Sequence, residues 1–456
     1  MVEERDRAIK YAHDNRARFL NELKEFASIP SVSTDPAHKG DIQKAAGWAA
    51  ARLEALGMKN VQIFPTTGHP VVYGESMTAG EKAPVVLFYG HYDVQPAEPL
   101  ELWESPAFEP TLRGDNLFAR GVSDMKGQML AGLFAIESIQ KTSQLPCNLK
   151  FIFEGEEEIG SPNLAPFIAS HKDLLSSDVV LNLDSGIIAE DFPSITVALR
   201  GLAYFEIRVS GPTSDLHSGM FGGVVHNPAQ VLCELIAGMH DDQGRVTLPG
   251  YYDRVRPLTD EERADMKRLP MDDKHFLRIT GAPALYGEAG YTSAERVGAR
   301  PTLEVNGLLS GFTGEGSKTV LPAKAMAKIS MRLVPDQDPA EVHQQLLKYM
   351  EKNAPPTVIW EVIQMAGGFA SIVDRNTPGV QALADAFQTV WGKPVGFKRE
   401  GGSIPVVAQM QSILGKASIL AGFGLPDDNL HAPNEKLHLP TWYRGIDVVI
   451  HFLFNL

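Results

Sequence analysis

The sequence predicts an α/β fold: a larger domain with a mostly parallel sheet flanked by helices, interrupted by a smaller α+β domain. Two observations support this prediction. Continuous apolar runs alternate with amphipathic helices up to about residue 199, and the same pattern returns after residue 373, as in a sheet that is buried on both faces. Between these points, strands alternate apolar and polar residues, as in a sheet with one face in water.

Periodicity defines the first part of the larger domain. One amphipathic helix is expected over residues 3–26, before Pro30, and a second over residues 42–56, before Gly57. The remaining elements are short strands at 61–64 and 71–73, buried strands at 84–89, 149–153 and 179–184, and a helix over 129–139.

The pattern changes near Arg200, where a smaller domain begins and extends to residue 372. Residues 241–300 are polar, rich in proline and glycine, and weakly periodic, so we interpret them as an insertion. Helices over 379–390 and after Pro440 then continue the larger domain. The smaller domain is expected to contain strands at 203–210, 302–305, 325–332 and 357–362, with helices at 228–239 and 341–352.

Composition restricts the class of protein. The chain has 456 residues, of which 44% are hydrophobic, enough for two or three domains. The formal net charge of −14, with no offsetting basic block, argues against nucleic acid or an anionic membrane as partner. Two cysteines are too few for a disulfide framework. Since the start lacks an apolar signal segment and the apolar run 448–454 is too short to span a bilayer, we expect a cytoplasmic protein.

Four glutamates lie within five residues directly after the buried strand 149–153: Glu154, Glu156, Glu157 and Glu158. Like charges this close raise each other's pKa unless a cation neutralises them. The carboxylates therefore either spread into water or face a metal, and this stretch alone leaves both interpretations open.

Other metal-type side chains stand at strand ends and in loops. His91 and Asp93 are two residues apart, so on an extended backbone they face the same side. Asp93 can then accept a hydrogen bond from the ring nitrogen of His91 that is not bound to metal. Asp124 precedes a helix, Asp184 ends a strand and His431 lies in a loop. Each of these, taken alone, is equally explained as a cap, a turn or a surface residue.

Taken together, these residues favour a metal centre. Two histidines and three carboxylates supply the nitrogen and oxygen ligands that divalent zinc or manganese accepts. If one aspartate bridges, each of two metals receives one histidine, one private carboxylate and half of the bridge. Three carboxylates and a bridging hydroxide then balance two dications. A fourth carboxylate is left as general base, and Glu157 beside Glu158 fits these two tasks.

Five segments carry recognisable motifs, in order along nearly the whole chain. They resemble the di-zinc peptidases that include aminoacylase, glutamate carboxypeptidase, succinyl-diaminopimelate desuccinylase and carnosinase. The strongest resemblance is to carnosinase-like cytosolic dipeptidases, which share Glu-Gly-Gly-Ser-Ile-Pro and a long lid insertion. The segments are Gly90-His-Tyr-Asp-Val-Gln-Pro96, Ala119-Arg-Gly-Val-Ser-Asp-Met-Lys-Gly127, Glu154-Gly-Glu-Glu-Glu-Ile-Gly-Ser161, Asp215-Leu-His-Ser-Gly219 and Arg399-Glu-Gly-Gly-Ser-Ile-Pro405.

The resemblance implies a metal centre with defined ligands. Asp124 would bridge two divalent ions, zinc in the first place, with manganese or cobalt as alternatives. His91 and Asp184 would complete one site, and Glu158 and His431 the other.

The resemblance also implies the catalytic groups. Glu157 would be the general base, Asp93 would orient His91, and Glu156 is expected to stay in water. His217 would reach the active site of the other subunit of a homodimer, where it stabilises the oxyanion. Residues 1–199 and 373–456 would then form the catalytic domain, and 200–372 the lid and dimerisation domain with its insertion at 241–300.

Substrate contacts follow from the same resemblance. Arg332 would bind the substrate's C-terminal carboxylate together with Ser403 and the backbone at Gly402. Thr319 would add a polar contact, and Glu400 would face the free amine.

The implied function is hydrolysis of the amide of a dipeptide, or of a similarly small peptide, by attack of a metal-bridging water. An N-acyl-amino-acid deacylase or desuccinylase is an alternative with the same fold. Glu400 favours the dipeptidase because a free amine needs an acid, whereas an acylated substrate carries no such cation. A non-catalytic metal-binding relative is a third hypothesis, which the complete ligand set with Glu157 argues against.

One segment resembles a nucleotide site. Residues 311–319 read like a phosphate-binding loop, but a serine intervenes before Lys318 and Pro322 follows where a helix should begin. Nucleotide binding is therefore not expected.

Overall fold

The computed structural model describes residues 2–402 and 404–456. The chain divides into two compact units, each of which is continuous in space but not in sequence. The first unit consists of Met1–Val197, Val373–Lys398 and Pro405–Leu456, and the second of Ala198–Ile372 and Arg399–Ile404.

The described residues form 14 α-helices and 18 strands. Up to residue 199 they are α1 Val2–Asp14, α2 Arg16–Ala27, α3 Lys39–Ala55, β1 Lys59–Phe64, β2 Val71–Ser76, β3 Val85–His91, β4 Thr111–Arg113, β5 Asn116–Phe118, α4 Gly127–Thr142, β6 Asn148–Glu154, α5 Leu164–Ser170, β7 Val179–Asn182 and β8 Ser194–Leu199. Next come β9 Gly201–Ser210, β10 Leu216–His217, α6 Ser218–Phe221, α7 Pro228–Ala237, α8 Asp260–Arg268, α9 Asp273–Thr280, α10 Ser293–Ala299, β11 Thr302–Ser310, β12 Val320–Leu321, β13 Lys324–Leu333, α11 Pro339–Asn353, β14 Ile359–Gly368 and β15 Ser371–Ile372. The chain ends with α12 Pro378–Trp391, β16 Gly396–Glu400, α13 Pro405–Leu414, β17 Ser418–Leu420, β18 Lys436–His438 and α14 Leu439–Asn455.

The first unit is built on a sheet in the order β1-β2-β6-β3-β7-β17-β8. Its central strands β6, β3, β7 and β17 are parallel, whereas β1, β2 and β8 join antiparallel at the flanks. Every residue of β6 is buried, which explains its continuous apolar run. The α/β prediction is therefore confirmed.

Strand register places the chemistry at one edge of this sheet. Tyr89 of β3 lies opposite Ile152 of β6 and Asn182 of β7. The carboxyl ends of the three strands consequently meet at the same edge, where open α/β sheets place their sites. His91, the acidic turn after β6 and Asp184 all follow from these ends.

The N-terminal helix is divided, contrary to the expectation of one helix over 3–26. Asn15 leaves helical geometry, with φ −106° and ψ 8°. Its side-chain amide donates to the carbonyl oxygen of Tyr11 at 2.9 Å. A side chain that competes for a backbone carbonyl in this way favours a helix end.

The apolar run 448–454 belongs to the closing helix α14. Val448, Ile450 and Phe452 are fully buried in the first unit. Within the described part of the chain, every helix is too short or too polar to cross a lipid bilayer.

The second unit contains an antiparallel sheet in the order β11-β13-β9-β14. Burial alternates along β13, so Ala327, Ile329 and Met331 face a core shared with α7 and α11. Leu346 of α11 is fully buried in that core, and burying such a side chain stabilises by about 1.5–3 kcal/mol.

The insertion at 241–300 contains the three short helices α8, α9 and α10, which its weak periodicity did not predict. Two of them begin with a capping box, Thr259 with Glu262 and Thr292 with Glu295. Reciprocal caps satisfy the first backbone N–H groups of a helix without a long apolar face. The Thr-x-x-Glu spacing was the sequence signal for these helices.

Candidate metal centre

The carboxylate of Asp124 lies between two imidazoles in the first unit. Its Oδ1 is 3.2 Å from Nε2 of His91, and its Oδ2 is 3.0 Å from Nε2 of His431. Asp124 stands in the turn before α4, His91 ends β3, and His431 lies in the loop before β18. One side chain thus presents each of its oxygens to a different histidine, as a bridging ligand must.

Two groups of metal-ligating side chains share this aspartate. Within each group the potential ligand atoms all lie within 4.8 Å of one another. Asp184 Oδ2 is 3.8 Å from Nε2 of His91, and Glu158 Oε2 is 3.3 Å from Nε2 of His431. Each group offers one imidazole nitrogen and two carboxylates, a donor set that fits a divalent ion such as zinc, manganese or cobalt.

The carboxylates and histidines of the centre lie close together and shift one another's pKa values. Burial lowers the pKa of His91, but hydrogen bonds to Asp124, Asp184 and Asp93 outweigh it and hold that pKa well above the ordinary value. Hydrogen bonds to Asp124 and Glu158 raise the pKa of His431 to about 10. The surrounding negative charge thus favours the protonated imidazolium form of both rings, and bound cations would balance the same negative charge.

Glu157 lies in the same field of negative charge. Its pKa is raised to about 9, mainly by burial and also by the carboxylates of Asp184, Glu158 and Asp124, while the charge of His91 lowers it. Its backbone begins the short turn Glu157–Ile159 that follows β6. A carboxyl group with a strongly shifted pKa beside a ligand cluster is a candidate acid or base.

Asp93 contacts both sides of the centre from a fully buried position. Its Oδ1 is 3.4 Å from Nδ1 of His91, and its main-chain oxygen is 3.1 Å from the same nitrogen. The Nδ1 side of the ring therefore faces Asp93, which directs Nε2 towards Asp124. The same carboxylate accepts the backbone N–H groups of Glu157 at 3.3 Å and Glu158 at 3.1 Å.

We expected Glu156 to stay in water, and this prediction was wrong. Its side chain is buried, with 3% exposed. It accepts the backbone N–H groups of His69 at 2.8 Å and Asn163 at 3.2 Å, and the Asn163 side-chain amide at 2.9 Å. The carboxylate is held inside because these donors replace water.

Glu154, which had no predicted role, lies beneath the acidic turn. Tyr89 donates to it at 2.7 Å and Ser161 at 2.9 Å. Burial and the charge of Asp93 together raise the pKa of Glu154 to about 8, against the hydrogen bonds from Tyr89 and Ser161, which lower it.

Two supporting residues were not recognised from the sequence. Gln95 donates to Oε2 of Glu158 at 2.7 Å. The signal in the sequence was its position four residues after His91, within the segment Gly90–Pro96. Glu435 accepts the backbone N–H of Asp124 at 3.1 Å. No local pattern marks Glu435, because its partner lies 311 positions away in the chain.

The remaining predicted residues lie in the second unit, where two of them are neighbours. His217 is exposed at the end of β10, and its Nδ1 accepts the backbone N–H of Gly219 at 3.0 Å. Thr319 precedes β12, which pairs with β10. Its carbonyl oxygen accepts the N–H of Ser218 at 3.0 Å, so the structure brings His217 and Thr319 together.

Arg332 and Glu400 both lie near Arg200. Arg332 is partly buried on β13. The Arg200 backbone N–H donates to the Glu400 carbonyl at 3.2 Å, and its Nε donates to the Gly401 carbonyl at 3.2 Å. Burial lowers the pKa of Arg200 to about 10, and the charge of Arg332 contributes. Gly402 is exposed, and Ser403 lies outside the described residues.

Comparisons with known proteins agree with this geometry. A profile of the peptidase family M20/M25/M40 matches residues 87–455. A Cys-Gly metallodipeptidase of Candida albicans is 32% identical over 454 residues, which cover 94% of this chain and 93% of that protein. The Beta-Ala-His dipeptidase of Homo sapiens is 30% identical over 473 residues, which cover 99% of this chain and 92% of that protein.

A solved structure is similar over almost the same length. The M20 family metallo-carboxypeptidase of Sulfolobus solfataricus matches with a TM-score of 0.82 and 34% identity, over 95% of this chain and 98% of that one. The predicted resemblance to di-zinc peptidases of the carnosinase type is thereby confirmed. The chain belongs to peptidase family M20/M25/M40.

Proposed function

We propose that the chain is a metallodipeptidase, which hydrolyses the amide bond of dipeptides. The observation that carries this proposal is the carboxylate of Asp124, whose two oxygens face the two histidines at 3.2 and 3.0 Å. One M20 peptidase of similar fold, from Bacillus subtilis, is described as binding a dinuclear metal. His91 and Asp184 would hold one ion, Glu158 and His431 the other, and Asp124 both. Zinc is our first candidate, and manganese and cobalt suit the same ligands.

The chemistry divides between the ions and the protein. When bound, two divalent ions would polarise the scissile carbonyl and make a water molecule more acidic. Glu157 accepts the proton of the attacking water while the water oxygen bonds to the carbonyl carbon. As the C–N bond breaks, Glu157 returns the proton to the leaving amine. The charge of two bound ions would favour the carboxylate form of Glu157 and lower its pKa, as a general base near neutral pH requires.

Recognition of the two substrate ends is assigned to the second unit. Arg332, with Ser403 and the backbone at Gly402, binds the C-terminal carboxylate, and Thr319 adds a polar contact. The second guanidinium of Arg200 beside Arg332 supports an anion at this place.

The free amine of the substrate is assigned to Glu400. The Arg200 backbone N–H donates to the Glu400 carbonyl. The contacts to the carboxylate and to the amine of the substrate therefore both depend on the segment that contains Glu400 and Gly402. A site that binds both ends of its substrate restricts the length of that substrate.

We also propose a homodimer in which the second unit acts as lid and dimerisation domain, and His217 stabilises the oxyanion at the other subunit's site. The neighbouring apolar side chains support an interface here, because Met220 is 71% and Val224 83% exposed. A cytoplasmic location stays a prediction from composition.

A substrate panel tests the function. Metal-free protein is reconstituted separately with zinc, manganese and cobalt, and assayed with dipeptides that include Cys-Gly and β-Ala-His, after which relatives are named. Each dipeptide is compared with its N-acetylated and C-amidated forms. We expect hydrolysis of the free dipeptides and losses of at least about 100-fold in kcat/KM for the blocked forms, because a blocked end no longer carries the charge that Arg332 or Glu400 would bind.

Preference for the N-acetylated substrate would contradict a dipeptidase and favour the deacylase. Absence of turnover with all three metals would favour the non-catalytic relative.

A variant pair tests the carboxylate contact. Arg332→Ala should raise KM for the free dipeptide. It should also reduce the ratio of kcat/KM for the free dipeptide to kcat/KM for the C-amidated form. Arg208→Ala, at an exposed position on β9 of the same sheet, should leave both values unchanged. Equal discrimination by Arg332→Ala and the unmodified enzyme would exclude Arg332 from carboxylate recognition.

A further inference from the structure

We propose that Glu435 is a positioning residue for the metal centre: it holds Asp124 in its bridging orientation and couples it to the loop that carries His431. The inference rests on the metal centre proposed above.

Both oxygens of Glu435 are occupied by donors from the turn that contains Asp124. Oε1 accepts the backbone N–H groups of Ser123 at 2.9 Å and Asp124 at 3.1 Å. Oε2 accepts the Gly121 N–H at 2.9 Å and Nη1 of Arg120 at 2.7 Å. Glu435 thus fixes the backbone of Asp124 itself as well as the residues that lead into it.

The chemistry of these contacts requires a carboxylate. The Glu435 side chain is 0% and that of Arg120 1% exposed, so each charge is stabilised by the other and by hydrogen bonds instead of water. Three backbone N–H groups and a guanidinium converge on two oxygens, and only an acceptor-only group satisfies all of them. An amide at this position would turn its NH₂ group towards other donors.

The turn is shaped for this convergence. Gly121 has φ 79°, a left-handed conformation that glycine adopts without strain. A Cβ atom at this position would lie 2.3 Å from Cγ1 of Val94. The backbone therefore bends sharply where its N–H groups meet Glu435.

The same contacts attach the His431 loop. The Glu435 carbonyl accepts the Ala119 N–H at 3.1 Å. On the other side of His431, Asp428 accepts from the Ser123 hydroxyl at 2.7 Å. The loop is therefore fixed to the Asp124 turn both before and after His431, so a shift of Glu435 moves the shared ligand and a private ligand together.

The competing explanation is an ordinary buried ion pair that only stabilises the fold. Glu137 provides a matched control, because it is also buried, with 5% exposed, and is paired with Arg18 and Arg52. It lies on α4, outside both ligand groups. Glu137→Gln therefore removes a buried charge without touching the Asp124 turn.

The test is calorimetric titration of the metal-free full-length protein with Zn²⁺, together with the melting temperature of each metal-free variant. Unmodified protein should bind two ions per chain. Glu435→Gln should lower the affinity for both ions by about 10–100-fold, the usual effect of losing a group that orients a ligand. Asp184→Asn should lower the affinity mainly for one of the two ions, since Asp184 belongs to only one of the two ligand groups. Glu137→Gln should bind both ions as the unmodified protein does.

The possible results separate the inference from the proposed function. The role of Glu435 is overturned if Glu435→Gln binds Zn²⁺ with wild-type affinity. It is also overturned if its loss of Zn²⁺ affinity is no larger than that of Glu137→Gln when the two variants have equal melting temperatures. Both results leave the proposed metal centre unaffected. A loss confined to one ion overturns the coupling through Asp124. Fewer than two ions on unmodified protein overturns the metal centre and, with it, this inference.

A second variant covers the case in which Glu435→Gln does not fold. Glu435→Asp keeps the carboxylate and its pairing with Arg120 but shortens the reach to the Asp124 N–H. It should bind both ions more weakly than the unmodified protein. Unchanged affinity in a folded Glu435→Asp overturns the proposal.

Discussion

Asp93 accepts the backbone N–H of Glu158 at 3.1 Å, although 65 positions separate the two residues in the chain. The same carboxylate accepts the N–H of Glu157 and lies 3.4 Å from Nδ1 of His91. A single buried side chain therefore sets both the ring orientation at the end of β3 and the acidic turn after β6.

The first prediction concerns Asp93→Asn. The amide keeps the shape of the carboxylate but must present NH₂ to one of three groups that need an acceptor. We expect metal affinity and kcat/KM each to fall about 10–100-fold, measured by calorimetric titration and steady-state kinetics. Asp178→Asn is the control, since Asp178 accepts the Val85 N–H at 2.9 Å at the opposite end of β3. Unchanged affinity and kcat/KM in Asp93→Asn would exclude this orienting role.

The second prediction concerns Glu157. Glu157→Gln should retain both metal ions and lose about 10²–10⁴ in kcat, because the amide cannot accept the proton of the attacking water. Elemental analysis of the purified variant checks the metal content, and a dipeptide assay gives kcat. Glu158→Gln should instead lose metal from its own site. Near-normal turnover by fully loaded Glu157→Gln would exclude Glu157 as the general base.

The third prediction tests whether His217 acts across a dimer. His217→Ala and Glu157→Gln should each be almost inactive alone. Unfolded together in equal amounts and refolded, they should regain about a quarter of wild-type activity, since half of the dimers are hybrids and each has one complete site. Mixing Glu157→Gln with a His217→Ala, Glu157→Gln double variant is the control and should restore nothing. No recovery in hybrids, verified as dimers by differential tagging, would place His217 in its own subunit's site or outside catalysis.

The fourth prediction is a pH dependence of stability. Burial raises the pKa of Glu137, but hydrogen bonds and charges of Arg52 and Arg18 outweigh it, so the pKa lies below its ordinary value of 4.5. A carboxylate with a depressed folded-state pKa stabilises fully above its ordinary pKa, and that contribution is lost as the pH falls through the lower value. Glu137→Gln should lose roughly 1–3 kcal/mol at pH 7, since water screens the part-exposed Arg18.

Melting temperatures between pH 7 and pH 3 measure this effect. The difference between unmodified protein and Glu137→Gln should be largest near neutrality and shrink below about pH 4.5. Glu361→Gln, at an exposed pair with Arg208, should show no measurable difference at any pH. A gap that is constant down to pH 3 would mean that the Glu137 charge contributes nothing to stability.

Local signals predicted much of the architecture because burial leaves a periodic trace. The run before His91 and the run before Glu154 are apolar since β3 and β6 lie inside a sheet. Of the three insertion helices, α8 and α10 left only their Thr-x-x-Glu caps as a signal. Glu156 was misjudged because an acidic residue in a turn is usually solvated, and only the fold supplies the Asn163 and His69 donors that hold it inside.

The sequence by itself determined the class of the fold, the family, and the residue types available for a metal centre, because strand periodicity and motifs are local in the chain. Only the tertiary structure set the distances from Asp124 to its two histidines and from Asp93 to the His91 ring, and only it revealed that Glu435 contacts the Asp124 turn. Those relationships join positions up to 315 residues apart, and folding sets their distances through strand register and loop docking that no local pattern encodes.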